Sequence, residues 1–101
     1  MADRRIKLHA QLVEILPNVY FNPPESVKLR YPCIVYNRSD VDIDFADDMA
    51  YKPIVRYSLT IIDLNPDSTY YMKVIEKFAG CNYVQHFNKE GLSHDVIELY
   101  Y

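Results

Sequence analysis

The chain has no tryptophan and only two glycines, Gly80 and Gly91. Glycine this scarce leaves no glycine-rich loop to cradle a phosphate and no Gly-x-Ser-x-Gly nucleophile turn, devices that need backbone only glycine adopts freely. Cysteine is also sparse. Cys33 and Cys81 stand far apart and match no paired metal-ligand spacing. No apolar run approaches the ~20 residues that span a bilayer. The first apolar stretch is broken by His9, Gln11 and Glu14, unlike the core of a signal peptide. These gaps predict no membrane association and folding in a reducing cytoplasm with free thiols. A basic excess is missing too. Net charge is −3 and the densest cationic cluster is Arg4, Arg5 and Lys7, so no specific nucleic-acid binding is expected, because phosphate contacts supply most of such affinity.

What remains is the composition of a globular protein: 101 residues, 50% hydrophobic and 25% charged. That length predicts one domain, residues 1–101, with one modest core. Ten tyrosines are present. An apolar ring with a hydroxyl that seeks a partner suits both the edge of a core and a surface half buried against another protein.

Periodicity organises the chain. Over residues 4–16, Leu8, Leu12, Ile15 and Leu16 form one apolar stripe, which predicts a helix capped by Asp3 and ended by Pro17. Residues 19–21 read as a short strand, and residues 32–38 as a second one, rich in β-formers. Asp40-Val41-Asp42-Ile43-Asp44-Phe45 then alternates acidic and apolar with period two, a strand signature. After Pro53, Val55, Tyr57, Leu59 and Ile61 share one face while Arg56, Ser58 and Thr60 share the other. Together residues 32–64 predict a long antiparallel hairpin with its tip near Asp47-Asp48. Asn65-Pro66-Asp67-Ser68 is a turn and helix start, with Asp67 or Ser68 able to cap the exposed amides of the first turn. Tyr71, Val74, Ile75 and Phe78 give a second amphipathic helix that stops at Gly80. Residues 83–88 and 96–101 close the chain as strands joined through Lys89-Glu90-Gly91. The fold class is α+β: an antiparallel β-sheet with a long β-hairpin, flanked by two α-helices.

Three constellations carry conceivable chemistry. Asp40, Asp42, Asp44, Asp47 and Asp48 resemble the start of an EF-hand loop, but Phe45 and Tyr51 stand where that loop needs glycine and a bidentate glutamate. Five carboxylates with no cation among them repel one another. A solvated outer face, an intersubunit contact or channel wall, and a metal site all remain open. Cys81, His86 and His94 supply three potential zinc ligands where a closed site wants four. Ser93-His94-Asp95 contains triad residue types, yet neighbours on a strand point to opposite faces and cannot converge. No catalytic residues, metal or cofactor are predicted.

Leu16-Pro17-Asn18-Val19-Tyr20-Phe21-Asn22-Pro23-Pro24, Tyr31-Pro32-Cys33-Ile34-Val35-Tyr36 and Gly91-Leu92-Ser93-His94-Asp95-Val96 together resemble the tail terminator, or tail-completion, proteins of long-tailed bacteriophages. The resemblance spreads over residues 5–101. It implies a helix-flanked antiparallel sheet and a homo-oligomer of six copies forming a ring. That ring would cap the tail tube, contact the tail tube protein, and join the head connector or stopper protein, so the chain would belong in the virion after assembly in the host cytoplasm. Asp40, Asp42, Ile43, Asp44, Phe45, Asp47, Asp48 and Tyr51 then become a subunit-interface or channel-facing hairpin. Independent of any likeness, a two-stranded arm is marginal in water and a domain this small can hardly cover it. Two rival readings stay open: a head-side stopper subunit of the neck, and a small metal-binding enzyme or regulator using the Asp cluster or the Cys81/His86/His94 group.

Overall fold

The computed structural model describes residues 2–42, 45–46, 49–50 and 54–101. It has two helices and a five-stranded sheet, an α+β fold. Helix α1 (Ala2–Ile15) buries Leu8 and Leu12 completely, and Leu16 just past its end is buried with them. It starts before Asp3, which therefore lies inside the first turn and not at the cap position expected for it. Strand β1 (Val19–Phe21) follows Pro17. Strand β2 (Cys33–Asp42) pairs antiparallel with β5 (Ile54–Asp63), and the small pair β3 (Phe45–Ala46) and β4 (Met49–Ala50) continues the hairpin toward its tip. Helix α2 (Tyr70–Lys77) leads to β6 (Cys81–Lys89) and β7 (Leu92–Tyr100).

In space the main sheet runs β1-β2-β5-β7-β6. It is antiparallel throughout except at one edge, where β1 lies parallel to β2, Val19 opposite Ile34 and Phe21 opposite Tyr36. An antiparallel β1 would follow from a tight turn. Here residues 22–32 carry the chain back before β2 begins, and the Arg30 amide donates to the Tyr20 hydroxyl along the way (3.2 Å).

Alternation along β5 and β7 decides which face is covered. Tyr57, Leu59, Ile61 and Asp63 are buried opposite Leu99, Ile97, Asp95 and Ser93, while Ser58 and Thr60 between them are half-buried opposite Glu98 and Val96. Leu8 and Leu12 of α1, Leu16 just after it and Val74 of α2 belong to the same core cluster as Ile34, Tyr36, Leu59 and Ile97. At ~1.5–3 kcal/mol for each large apolar side chain removed from water, this layer of helix on sheet is the main source of stability. An ion pair between Lys77 and Glu14 (2.7 Å) ties the helices at their exposed side and adds little. Cys33 and Cys81 are both free, and burial pushes the Cys33 thiol up to about 11, which makes it a poor nucleophile.

Helix and turn ends differ from the pattern-based expectation in instructive ways. Asp67 and Ser68 do not cap α2; Thr69 occupies that place without a side-chain bond, and Asn65 Oδ1 accepts the Asp67 amide instead (3.0 Å). Gly80 is not a left-handed cap. Its carbonyl accepts the Tyr100 amide (2.8 Å), so it serves the sheet. The last hairpin turns on Glu90 (φ 55°) and Gly91 (φ 77°), two successive positive-φ residues that suit a two-residue connection between twisted strands. Strand β7 begins at Leu92, earlier than the apolar run at Val96 suggests, because Ser93 and Asp95 are polar residues facing inward. Among the described residues no helix is long and apolar enough to cross a membrane.

Candidate functional site

The hairpin outruns its neighbours. Pairing of β1 with β2 stops at Tyr36, and pairing of β7 with β5 stops at Arg56 opposite Tyr100. Strands β2 and β5 continue as a pair to Asp42 opposite Ile54, and then Phe45 opposite Ala50 and Ala46 opposite Met49. The arm therefore projects as two strands with no third beside it among the described residues. Of the acidic and apolar residues expected there, Asp40 is fully described. Asp42 and Phe45 are placed by register alone. Ile43, Asp44, Asp47, Asp48 and Tyr51, and with them the expected tip, lie outside the described residues.

A bulge sets how the arm meets the body. Register shifts between Arg38 and Asp40, and the Ser39 hydroxyl donates to the Arg56 carbonyl (3.1 Å). Before the bulge, Ile34 and Tyr36 face the helices; after it, Val41 opposite buried Val55 does. The extra residue changes the phase so that apolar side chains stay on the core side. Asp40 consequently turns to the open face, where Arg56 meets it at 2.9 Å and also reaches Glu98 at 3.8 Å. The acidic run has no cation within it, but the facing strand supplies one in Arg56.

At the foot of the arm lies an open cleft of about 580 Å³, bounded by Arg5, Phe21, Asn22, Asn37, Arg38 and Tyr57 among others. Arg5 is fixed there: its guanidinium sits 4.3 Å from the Phe21 ring centre and donates to the Tyr36 hydroxyl (3.2 Å). A guanidinium only donates, so the Tyr36 proton is free to go to Nδ1 of His9 (2.7 Å) when that ring carries its proton on Nε2. That arrangement needs a neutral imidazole. Burial, and then the charge of Arg5, lower the His9 pKa accordingly, while burial raises that of Tyr36.

A second polar cluster closes the other end of the covered face. Asp95, 3% exposed, accepts a hydrogen bond from Tyr83 Oη (2.6 Å) and one from His86 Nδ1 (2.8 Å) on the same oxygen. His86 and Tyr83 border a cleft of about 490 Å³ under the start of α2. The Asp95 carboxylate orients the imidazole in the manner of a catalytic dyad, yet no described hydroxyl hydrogen-bonds to the ring, so the nucleophile-to-base contact of a triad is not formed. Ser93 faces the same way as Asp95, and His94 turns to the opposite face to stack on Phe87 (centroids 4.6 Å apart). His86 and His94 thus lie on opposite faces and do not converge with Cys81. Among the described residues no group of three His, Cys, Asp or Glu side chains is placed to hold a metal ion.

Burial, followed by the hydrogen bond to Asp95, pushes the Tyr83 phenol up to about 12. A raised phenol contributes stability that is complete below the unfolded value of ~10 and is lost as pH climbs through the folded one. Tyr83→Phe is expected to remove the latest phenol in an alkaline absorbance titration and to flatten the stability profile between those limits. The change will be small, since Tyr83 is 39% exposed. Loss of a phenol that titrates with the ordinary ones near ~10, in place of the latest one, would refute the Asp95 contact.

Comparison with protein-family models gives no match, and comparison with curated proteins gives none either. The site therefore rests on its own geometry. Sequence reading located the arm but not the Arg5/Arg38 cleft or the Tyr83–Asp95–His86 cluster. For the latter a signal existed: a two-residue turn at Glu90-Gly91 places His86 directly opposite Asp95.

Proposed function

We propose that this chain is a virion structural protein of a long-tailed phage, forming a ring at the top of the tail tube that ends tail polymerisation and joins tail to head. The observation that carries the proposal is the two-stranded arm, which runs past both neighbouring strands and has, among the described residues, no third strand to share its backbone bonds. Isolated two-stranded ribbons are marginal in water, and copies of the same domain packed side by side would support the arm. A head-to-tail contact of that kind closes into a ring when its rotation permits. The resemblance of the Leu16–Pro24, Tyr31–Tyr36 and Gly91–Val96 segments to tail terminators points the same way, toward six copies and toward a tail tube protein and a head connector as partners.

In this reading the protein is not an enzyme, and the Tyr83–Asp95–His86 cluster is a satisfied structural network beneath α2. Acidic side chains on the arm suit a passage for DNA, since like charge keeps phosphates from adhering. The test is electron microscopy of the particle with the protein labelled. Label in the layer directly above the last tail-tube ring is the expected result. Label within the head portal would refute the terminator assignment and favour a stopper.

A further inference from the structure

We propose that the cleft at the foot of the arm receives the acidic arm of a second copy of this chain, with the guanidinia of Arg5 and Arg38 meeting its carboxylates. The proposal rests on the ring reading above and names the contact that would build it.

Four observations support it. First, among the described residues the cleft is bounded by two guanidinia and no carboxylate. Arg5 is already held in place by Phe21 and Tyr36, so little side-chain freedom is lost when an anion arrives. Arg38 is exposed and makes no ion pair among the described residues. Second, the wall of the cleft is an open strand edge. Strand β1 ends opposite Tyr36, with Asn22 capping the pair through its amide (2.8 Å), so the outer backbone groups of β2 from Asn37 onward have no described strand beside them. An edge of this type accepts an extended segment more readily than a helix.

Third, the occupant has matching chemistry. The segment between β2 and β5 contains Asp44, Asp47 and Asp48 just after Asp42, against Lys52 alone. Its apolar residues Ile43 and Phe45 alternate with the carboxylates, and the cleft offers Phe21, Val55 and Tyr57 beside its cations. Fourth, the arm cannot fill its own cleft by the same contact. Strand β2 carries Asp42 roughly 13 Å beyond Arg38, at ~3.3 Å per residue, and Asp40 is engaged by Arg56. A second copy can bring its arm in from outside. Because donor and receiver are different surfaces, the contact is head-to-tail, the kind that generates rings or filaments.

Sedimentation velocity and light scattering on the full chain, at low and at high salt, test this with Arg38→Glu and Asp42→Lys. Circular dichroism melts confirm that each variant folds. The wild type should assemble, and each variant alone should assemble at least ~100-fold more weakly, since like charges across an interface cost several kcal/mol. An equimolar mixture of the two variants should regain about tenfold or more, because the lysine introduced on one copy's arm meets the glutamate introduced in the other's cleft. Wild-type rings matched by Arg38→Glu rings would overturn this contact and leave the ring reading standing. A wild-type dimer that Arg38→Glu dissociates would keep the contact and overturn the ring. A wild type that stays monomeric under all conditions would overturn both.

Discussion

Replacing residues 43–53 by Asn-Gly, a two-residue turn from Asp42 to its partner Ile54, is expected to leave a folded domain that no longer assembles. The body should survive because its pairing lies elsewhere: Cys33 opposite Ile62 through Arg38 opposite Tyr57, and all of β7 against β5 and β6. Loop closure changes slowly with length, about 0.6 kcal/mol per doubling, so the shorter connection carries no large entropic cost, and Asn-Gly has the positive-φ tolerance such turns require. Thermal midpoint should shift by no more than a few degrees. Assembly, by contrast, should fall below detection in light scattering, and particles made with the variant should lack joined heads and tails. Excised protein that still assembles like wild type would show that the arm is ordinary surface and that the ring reading has the wrong foundation.

Leu59→Ala tests the body independently of any partner. Leu59 is fully buried at the centre of β5, with Tyr36 opposite it on one side and Ile97 on the other. Truncating such a side chain removes its transfer free energy and leaves a cavity that close-packed neighbours only partly fill, for a loss of about 2–5 kcal/mol. Against a total of about 5–15 kcal/mol for a domain, that is a large fraction, and the midpoint should fall by roughly 10–30 °C for a chain of this size. Urea denaturation gives the number directly. A loss under about 1 kcal/mol, the range of a routine surface change, would mean the core is not arranged around this strand.

Legibility in the sequence followed how strongly each segment is patterned. Strand β5 was plain because its buried residues alternate without a break from Val55 to Ile61. Helix α1 was plain because three leucines fall on one stripe. The hairpin was legible as a whole, yet the bulge between Arg38 and Asp40 was not, although its cause is visible in retrospect. Ile34 and Tyr36 occupy even positions and Val41 an odd one, so the apolar set cannot stay on one face without an inserted residue.

Strand β7 was only half legible. Ser93 and Asp95 are buried polar residues: Asp95 is placed by its bonds from Tyr83 and His86, whereas Ser93 is carried inward by strand register alone, its hydroxyl without a hydrogen-bond partner among the described residues. No local pattern announces such contacts. The cleft at the foot of the arm was hidden for a related reason. Arg5, Phe21 and Arg38 come from a helix and two strands, and only the parallel docking of β1 on β2 brings them together. That parallel pairing also went unread, since a three-residue strand carries no sign of its partner's direction.

The position of β7 between β5 and β6 has a consequence for biogenesis. As the polypeptide emerges from the ribosome, β5 and β6 are both available before the strand that joins them exists. Until residues 92–100 have been synthesised, β5 presents an unpaired edge and β6 has no partner strand. Nascent chains crowded on one messenger are therefore most prone to mispair with one another during that interval. A sheet completed from its centre outward in sequence would have no such window, and here it closes only when the final hairpin folds into the gap.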